Sequence, residues 1–255
     1  MHYFPIYTWN GIEFDLSALL AITVSAILTF ALVKLLTLKL SVANPSKTQN
    51  FMEWAVDFVH STIASAMPLN KVRPYMSLGL TLILFILISN LVGLPLNIVT
   101  YVHEPMFNIT QAMLDKYAAE GGHAEMAWWK SPTADLSVTS GLALIVFVIV
   151  HFLGMKQNTK HYFQHYFKPF WFFFPLNLIE TIAKPVTLAL RLFANIFAGE
   201  VLIATILMLG VYGTPFMIAW QGFSIFVGAI QAFLFTILTM VYISQAAIHD
   251  DDGAH

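Results

Sequence analysis

Apolar runs that can cross a bilayer begin near Leu16, Tyr75, Leu136, Phe170 and Phe216. A hydrocarbon core of about 30 Å takes roughly 20 helical residues. The runs therefore predict about five membrane-spanning helices, near 16–36, 75–100, 135–155, 170–210 and 215–247. The fourth is too long for one upright span, so the last two are expected to be long and tilted. Gln49–Met67 has a different pattern, with Glu53, Asp57 and His60 at helical spacing opposite Phe51, Trp54, Phe58 and Ile63. It predicts an interfacial amphipathic helix over 48–67, with packing on other protein as the alternative. Without an internal repeat or a linker, the pattern predicts one all-α polytopic domain over 1–255.

Composition agrees: 58% of residues are hydrophobic and 10% charged, against about 25% charged in soluble domains. A formal charge of −2 offers nothing to a nucleic acid, and the lack of cysteine removes thiolate and disulfide chemistry. The N-terminal MHYFPIYTWNGIEFD has no basic leader, so the first run is expected to be a true span. Lys34, Lys39, Lys47, Lys71 and Arg73 flank one connection, and Lys156, Lys160 and Lys168 crowd another. Both read as cytoplasmic. Tyr101–Thr133, carrying Glu104, Asp115, Glu120 and Glu125, then lies outside. This puts the N-terminus outside and the IHDDDGAH tail inside.

The polar residues of the last two spans carry the chemistry. Arg191 lies in the apolar run Leu188–Gly210, and an arginine at mid-membrane depth costs roughly 2.5–3.5 kcal/mol on insertion scales. Guanidinium does not release its proton at physiological pH, so Arg191 can gate or latch a neighbouring carboxylate but cannot carry the proton itself. At about 100° per residue, Asn177, Glu180, Lys184, Arg191 and Asn195 fall near one stripe. Glu200 faces the opposite way, about 13.5 Å beyond Arg191, so the two belong to different polar environments. Pro185 is expected to kink or break the helix one turn before Arg191. Folding the turn GVYGTP about Tyr212 brings Glu200 level with Ser224, and Arg191 and Asn195 level with Gln231. Gln221, Ser224, Gly228 and Gln231 share one stripe on the last helix, and facing polar stripes suit a wet path.

Plainer roles stand beside these. Asn195 and Gln231 can simply hydrogen-bond across helices, Ser224 with Gly228 suits close packing, and Glu180 with Lys184 is an ordinary i, i+4 pair. Asp135 starts the third span and is counted with Glu200, Asn195, Gln231, Ser224 and Glu180 as a candidate for the ion pathway, although an aspartate there caps a helix by default. Asn90 and His151 are expected to be satisfied by neighbouring helices. His161 and His165 lack a third ligand, and no phosphate-binding loop occurs, so neither a metal, a cofactor nor nucleotide chemistry is expected in this chain.

The run KPVTLALRLFANIFAGE, Lys184–Glu200, closely resembles the signature of subunit a of F-type ATP synthases. IQAF at Ile230–Phe233, PTADLSVT at Pro132–Thr139 and QNFMEW at Gln49–Trp54 extend the resemblance over most of the chain. It implies a stator against which a c-ring turns, with no catalytic site of its own, held by the peripheral-stalk subunit b in a bacterial plasma membrane. It further implies that Arg191 separates two offset half-channels and that Asn195 and Gln231 line its surroundings. Glu200 is then on the outer half-channel and Glu180 near the inner one, with H+ the expected ion rather than Na+. Three positions depart from the family pattern: Ala194 replaces a common glycine, Ser137 a frequent asparagine, and Ser224 a histidine that some members carry opposite the glutamate. The last leaves open whether a second titratable group or water serves Glu200.

Two readings from other classes compete. A self-contained secondary transporter could use Arg191 to bind an anion, but the inverted repeat and paired broken helices are missing. An intramembrane enzyme could use Glu200 as acid or base, but no nucleophile and base share its face.

Overall fold

The computed structural model describes residues 3–42, 44–93, 99–119, 123–165, 167 and 170–247, with backbone alone for 157–165 and 247. The elements in order are β1 (Ile6–Trp9), β2 (Ile12–Asp15), α1 (Leu16–Leu36), α2 (Lys47–Ala66), α3 (Met76–Gly93) and β3 (Val99–Val102). There follow α4 (Gln111–Ala119), β4 (Ala124–Ala127), α5 (Leu136–His165), α6 (Phe174–Leu207) and α7 (Thr214–Ala247). Five helical stretches are long and apolar enough to cross a membrane: Leu16–Leu36, Arg73–Gly93, Leu136–Lys156, Trp171–Leu207 and Gly210–Ala246.

The second stretch differs from the expected 75–100, because residues 99 and 100 already belong to β3, and α3 is described as far as Gly93. Gly93 lies so close to Ser131 that a Cβ there would come within 2.3 Å of the serine Cβ. Two short hairpins are also added to the all-α expectation. β1 pairs antiparallel with β2 and β3 with β4. The first turns on Asn10 and Gly11, both at positive φ (51° and 81°), as a two-residue I′ turn demands.

α2 begins at Ser46, whose side chain accepts from the Gln49 N–H. Its apolar residues divide into two faces: Met52, Val59 and Ile63 are buried, while Phe51, Trp54 and Phe58 form an exposed stacked ridge with centroids 6.0 Å apart. Phe58 also meets Phe233 of α7. The helix thus packs on protein along one side and offers an aromatic edge along the other, so features of both expected readings coexist.

The core gathers Ile63 from α2, Leu82, Ile83 and Ile86 from α3, Ala143 and Val146 from α5, Leu188 and Leu192 from α6, and Phe235 and Ile243 from α7. Burying that stripe of α6 turns Arg191 outward. α6 runs unbroken through Pro185, which corrects the expected break. At 1.5 Å per residue its 34 residues span about 51 Å, well over a bilayer core, as a tilted helix requires. Gly210, at φ 57°, opens the tight turn Gly210–Gly213 that folds α7 back along α6. A Cβ on Gly213 would sit 2.4 Å from the Ile206 carbonyl oxygen, so that turn closes only around glycine.

Candidate functional site

The α6–α7 hairpin meets in the register expected from sequence. Gln231, 7% exposed, donates from Nε2 to the Arg191 main-chain oxygen at 2.7 Å. Glu200 and Ser224 line one cavity. Arg191 itself is exposed on the outer face of the hairpin, near the exposed alanines Ala194 and Ala198, and no ion pair involves it among the described residues. Glu200 lies on the opposite face, half-buried, as nine residues of helix dictate.

The Glu200 cavity measures about 40 Å³, room for about three or four waters at roughly 10–15 Å³ each. Its polar lining comes from Asn90 (α3), Ser131, Asn195 and Glu200 (α6), and Trp220 and Ser224 (α7). Trp220 Nε1 and Ser224 Oγ are buried without a hydrogen-bond partner among the described residues. Such groups suit bound water. Asn195, expected in the surroundings of Arg191, also lines the Glu200 cavity. It is one helical turn beyond Arg191 and one before Gly199, so it stands between the two polar environments.

The Asn90 carboxamide, 2% exposed, is the hub behind this cavity. It donates from Nδ2 to the Gly228 oxygen at 2.9 Å and accepts from Thr133 Oγ1 at 2.6 Å. Thr133 and Ser131 share a hydroxyl hydrogen bond at 2.9 Å. The Ser131 main-chain N–H points to Glu200 Oε1 at 3.4 Å. Gly228 is small because a Cβ would approach the Asn90 Cβ to 3.1 Å. His151, by contrast, contacts the Phe147 oxygen of its own helix.

At the hairpin end of the bundle, Lys130 Nζ donates to both Asp15 and Asp135. Asp15 also caps α1 by accepting from the Ser17 and Ala18 N–H groups, and Asp135 accepts from the Ser137 N–H at 2.7 Å. Burial pushes the Asp135 carboxyl up, but the hydrogen bond and charge of Lys130 and the Ser137 and Val138 N–H groups outweigh it, leaving Asp135 below the usual carboxylate range. For Lys130, burial favours the neutral amine, and Asp135 and Asp15 more than reverse this, raising its pKa. The expected cap at Asp135 is therefore present, with an ion pair added.

On the other side of Arg191, Glu180 and Lys184 form the expected i, i+4 pair at 3.0 Å, and Lys184 also reaches Gln245 Oε1 at 3.2 Å. His161 and His165, Glu120, the Gly121–Gly122 pair and the IHDDDGAH tail lie outside the described side chains. Sequence reading missed Lys130, Ser131, Thr133 and Trp220. Lys130 and Ser131 directly precede the PTADLSVT motif, but no local pattern ties them to Asp15, more than a hundred residues away.

A bundle of five long apolar helices, with an exposed arginine on one face of α6 and a half-buried carboxylate on the other, defines a polytopic membrane protein. Residues 18–244 match the family model described as ATP synthase A chain. Curated relatives named ATP synthase subunit a include that of Anoxybacillus flavithermus, 42% identical over 257 residues and 98% of this chain and 99% of the relative. That of Bacillus subtilis is 40% identical over 266 residues, with the same coverage, and that of Lysinibacillus sphaericus 42% over 258 residues, again with the same coverage. The chain belongs to the ATP synthase subunit a family, a membrane Fo component of the F-type enzyme without a catalytic site of its own. ATP synthesis and proton transport are the processes this family serves.

Proposed function

We propose that this chain is the proton-conducting stator of a rotary ATP synthase, in which Arg191 gates proton exchange on a rotating c-ring. The observation that carries the reading is the opposed presentation of two groups: Arg191, exposed and without an ion pair among the described residues, beside Ala194 and Ala198, and Glu200 turned inward to a polar cavity. Small residues beside an intramembrane cation let a partner helix approach closely. A ring carboxylate brought within about 4–6 Å of a guanidinium has its pKa lowered by roughly 1–3 units, each worth 1.36 kcal/mol. It sheds its proton there and must be neutral again before facing lipid. The membrane potential supplies about 2.3 kcal/mol per charge per 100 mV, enough to bias the same step.

In this reading protons enter through the Glu200 cavity, lined by Asn195 and Ser224, and leave past Glu180 and Lys184. Gln231 braces the Arg191 backbone, and Asp135, engaged by Lys130, anchors the hairpin end rather than carrying protons. The lysine-rich connections are cytoplasmic, the N-terminus is outside and the C-terminus inside the bacterial plasma membrane, and subunit b of the peripheral stalk holds the chain against rotation. H+ is the transported ion.

The test is proton-driven ATP synthesis and passive proton flux in proteoliposomes holding the complete complex. Arg191→Ala abolishes synthesis while passive flux persists or rises. Glu200→Gln slows proton entry without a leak. Coupled synthesis retained in Arg191→Ala refutes the gate.

A further inference from the structure

Lys130 has no part in the gate described above, yet it is among the most enclosed charges in the protein. Its side chain is 11% exposed, against 22% for Asp15 and 16% for Asp135, and its ammonium lies 4.5 Å from the Phe4 ring centroid. Burying a cation is costly unless it is well paired. Neither helix terminus requires it, since Asp15 and Asp135 cap α1 and α5 through main-chain N–H groups with or without a lysine. What the ammonium alone provides is a link between these two caps and the segment that follows it.

That segment leads directly to the cavity. Ser131, 2% exposed, is wedged against Gly93, where any Cβ would collide with it. Beyond it, the short helical turn Pro132–Ala134 is tied by Thr133 to Asn90 at 2.6 Å. The Ser131 amide is thus held on one side by Lys130 and on the other by Thr133. Its N–H reaches Glu200 at 3.4 Å, longer than the usual 2.7–3.2 Å for such a bond. At that length a displacement of a few tenths of an ångström makes or breaks the contact, so what holds Ser131 in place bears on it.

We propose that Lys130 is a positioning residue for Glu200: clasped by Asp15 and Asp135, it holds the Ser131 N–H against the Glu200 carboxylate. The proposal rests on Glu200 being the group through which protons enter. The groups facing Lys130 come from three elements, Asp15 before α1, Asp135 before α5, and Phe4 from the N-terminal segment, and the group it acts on comes from a fourth, α6.

The test uses the complete complex in proteoliposomes, with the rate of ATP synthesis measured against proton concentration on the side of the β hairpins. Lys130→Met lowers that rate about tenfold, as expected for losing a hydrogen bond to a charged group, while ATP hydrolysis by the catalytic sector is unchanged. The triple variant Lys130→Met, Asp15→Asn, Asp135→Asn removes every unpaired charge and recovers assembly and thermal stability, yet stays slow. Full speed in the triple variant means that Lys130 is only a structural staple and overturns the proposal. Where Lys130→Met alone does not assemble, the triple variant decides. The double variant Lys130→Met, Glu200→Gln is no slower than Glu200→Gln alone, since the effect passes through Glu200; additive losses also overturn the proposal. If Glu200→Gln itself runs at the parent rate, the proton-entry reading has failed. If Glu200→Gln is slow and Lys130→Met fast, only the positioning role has.

Discussion

Gln231→Leu separates two roles that Gln231 could have, one as part of the ion path and one as a brace. In the structure its Nε2 is committed to the Arg191 main-chain oxygen at 2.7 Å and the side chain is buried. Hydrogen bonds between membrane helices are worth about 0.6 kcal/mol on average and about 1.7 at most. The Arg191 carbonyl is an α6 helix acceptor in any case, so removing the amide leaves no orphaned oxygen, and the cost stays in that range. At 1.36 kcal/mol per decade, this is a factor of roughly 3 to 20 in the closed hairpin population. Coupled ATP synthesis in proteoliposomes is expected to fall by no more than that factor, with proton flux still tied to ATP. Gln231→Glu is expected to be worse than Gln231→Leu, because it discards the same donor and brings a carboxylate to compete for Arg191. An uncoupled leak in Gln231→Leu, or a Gln231→Glu variant faster than Gln231→Leu, refutes the brace.

Other expectations are more local. Gly93→Ala places a methyl 2.3 Å from the Ser131 Cβ and 2.8 Å from its Cα. Backbone must then move, so thermal unfolding of the complex should show a loss of about 1–3 kcal/mol, accompanied by slowed proton entry. The clasp at Lys130 makes stability depend on pH at both extremes. Asp135, below its ordinary range when folded, contributes above its unfolded value of about 3.9, and that contribution fades as pH falls through the folded value. Lys130, raised when folded, contributes below about 10.4 and loses it as pH rises through the folded value. The clasp's contribution should be flat between these limits, and Lys130→Met should remove the alkaline limb and weaken the acid one, part of which the Ser137 and Val138 N–H groups retain; an alkaline limb that survives in that variant counts against the assignment.

Much of this was legible in the sequence because a membrane simplifies the code. A run of apolar residues long enough to span has few alternatives to helix, and the glycine-bounded turn near Tyr212 fixes which residues of α6 and α7 stand level. Glu200 with Ser224 and Arg191 with Gln231 follow from counting alone. The part of Asn195 in the Glu200 cavity was not readable, because helical angle gives a direction but not the distance over which a neighbouring helix leaves a gap. The hairpin β1–β2 carried a readable signal, Asn10–Gly11, that an apolar-run reading passes over. β3 and β4 had none, since α4 lies between them. The clasp joining Lys130 to Asp15 is the least readable feature, because charge pairing between distant segments leaves no period in either.

The tight turn Gly210–Gly213 acts as a ruler for everything beside it. One residue inserted anywhere between Arg191 and Gln231 would rotate whatever follows by about 100° and slide it about 1.5 Å, swinging the amide away from the carbonyl it grips. Side chains along this stretch that touch neither the cavity nor the turn can drift in identity, but their number cannot change.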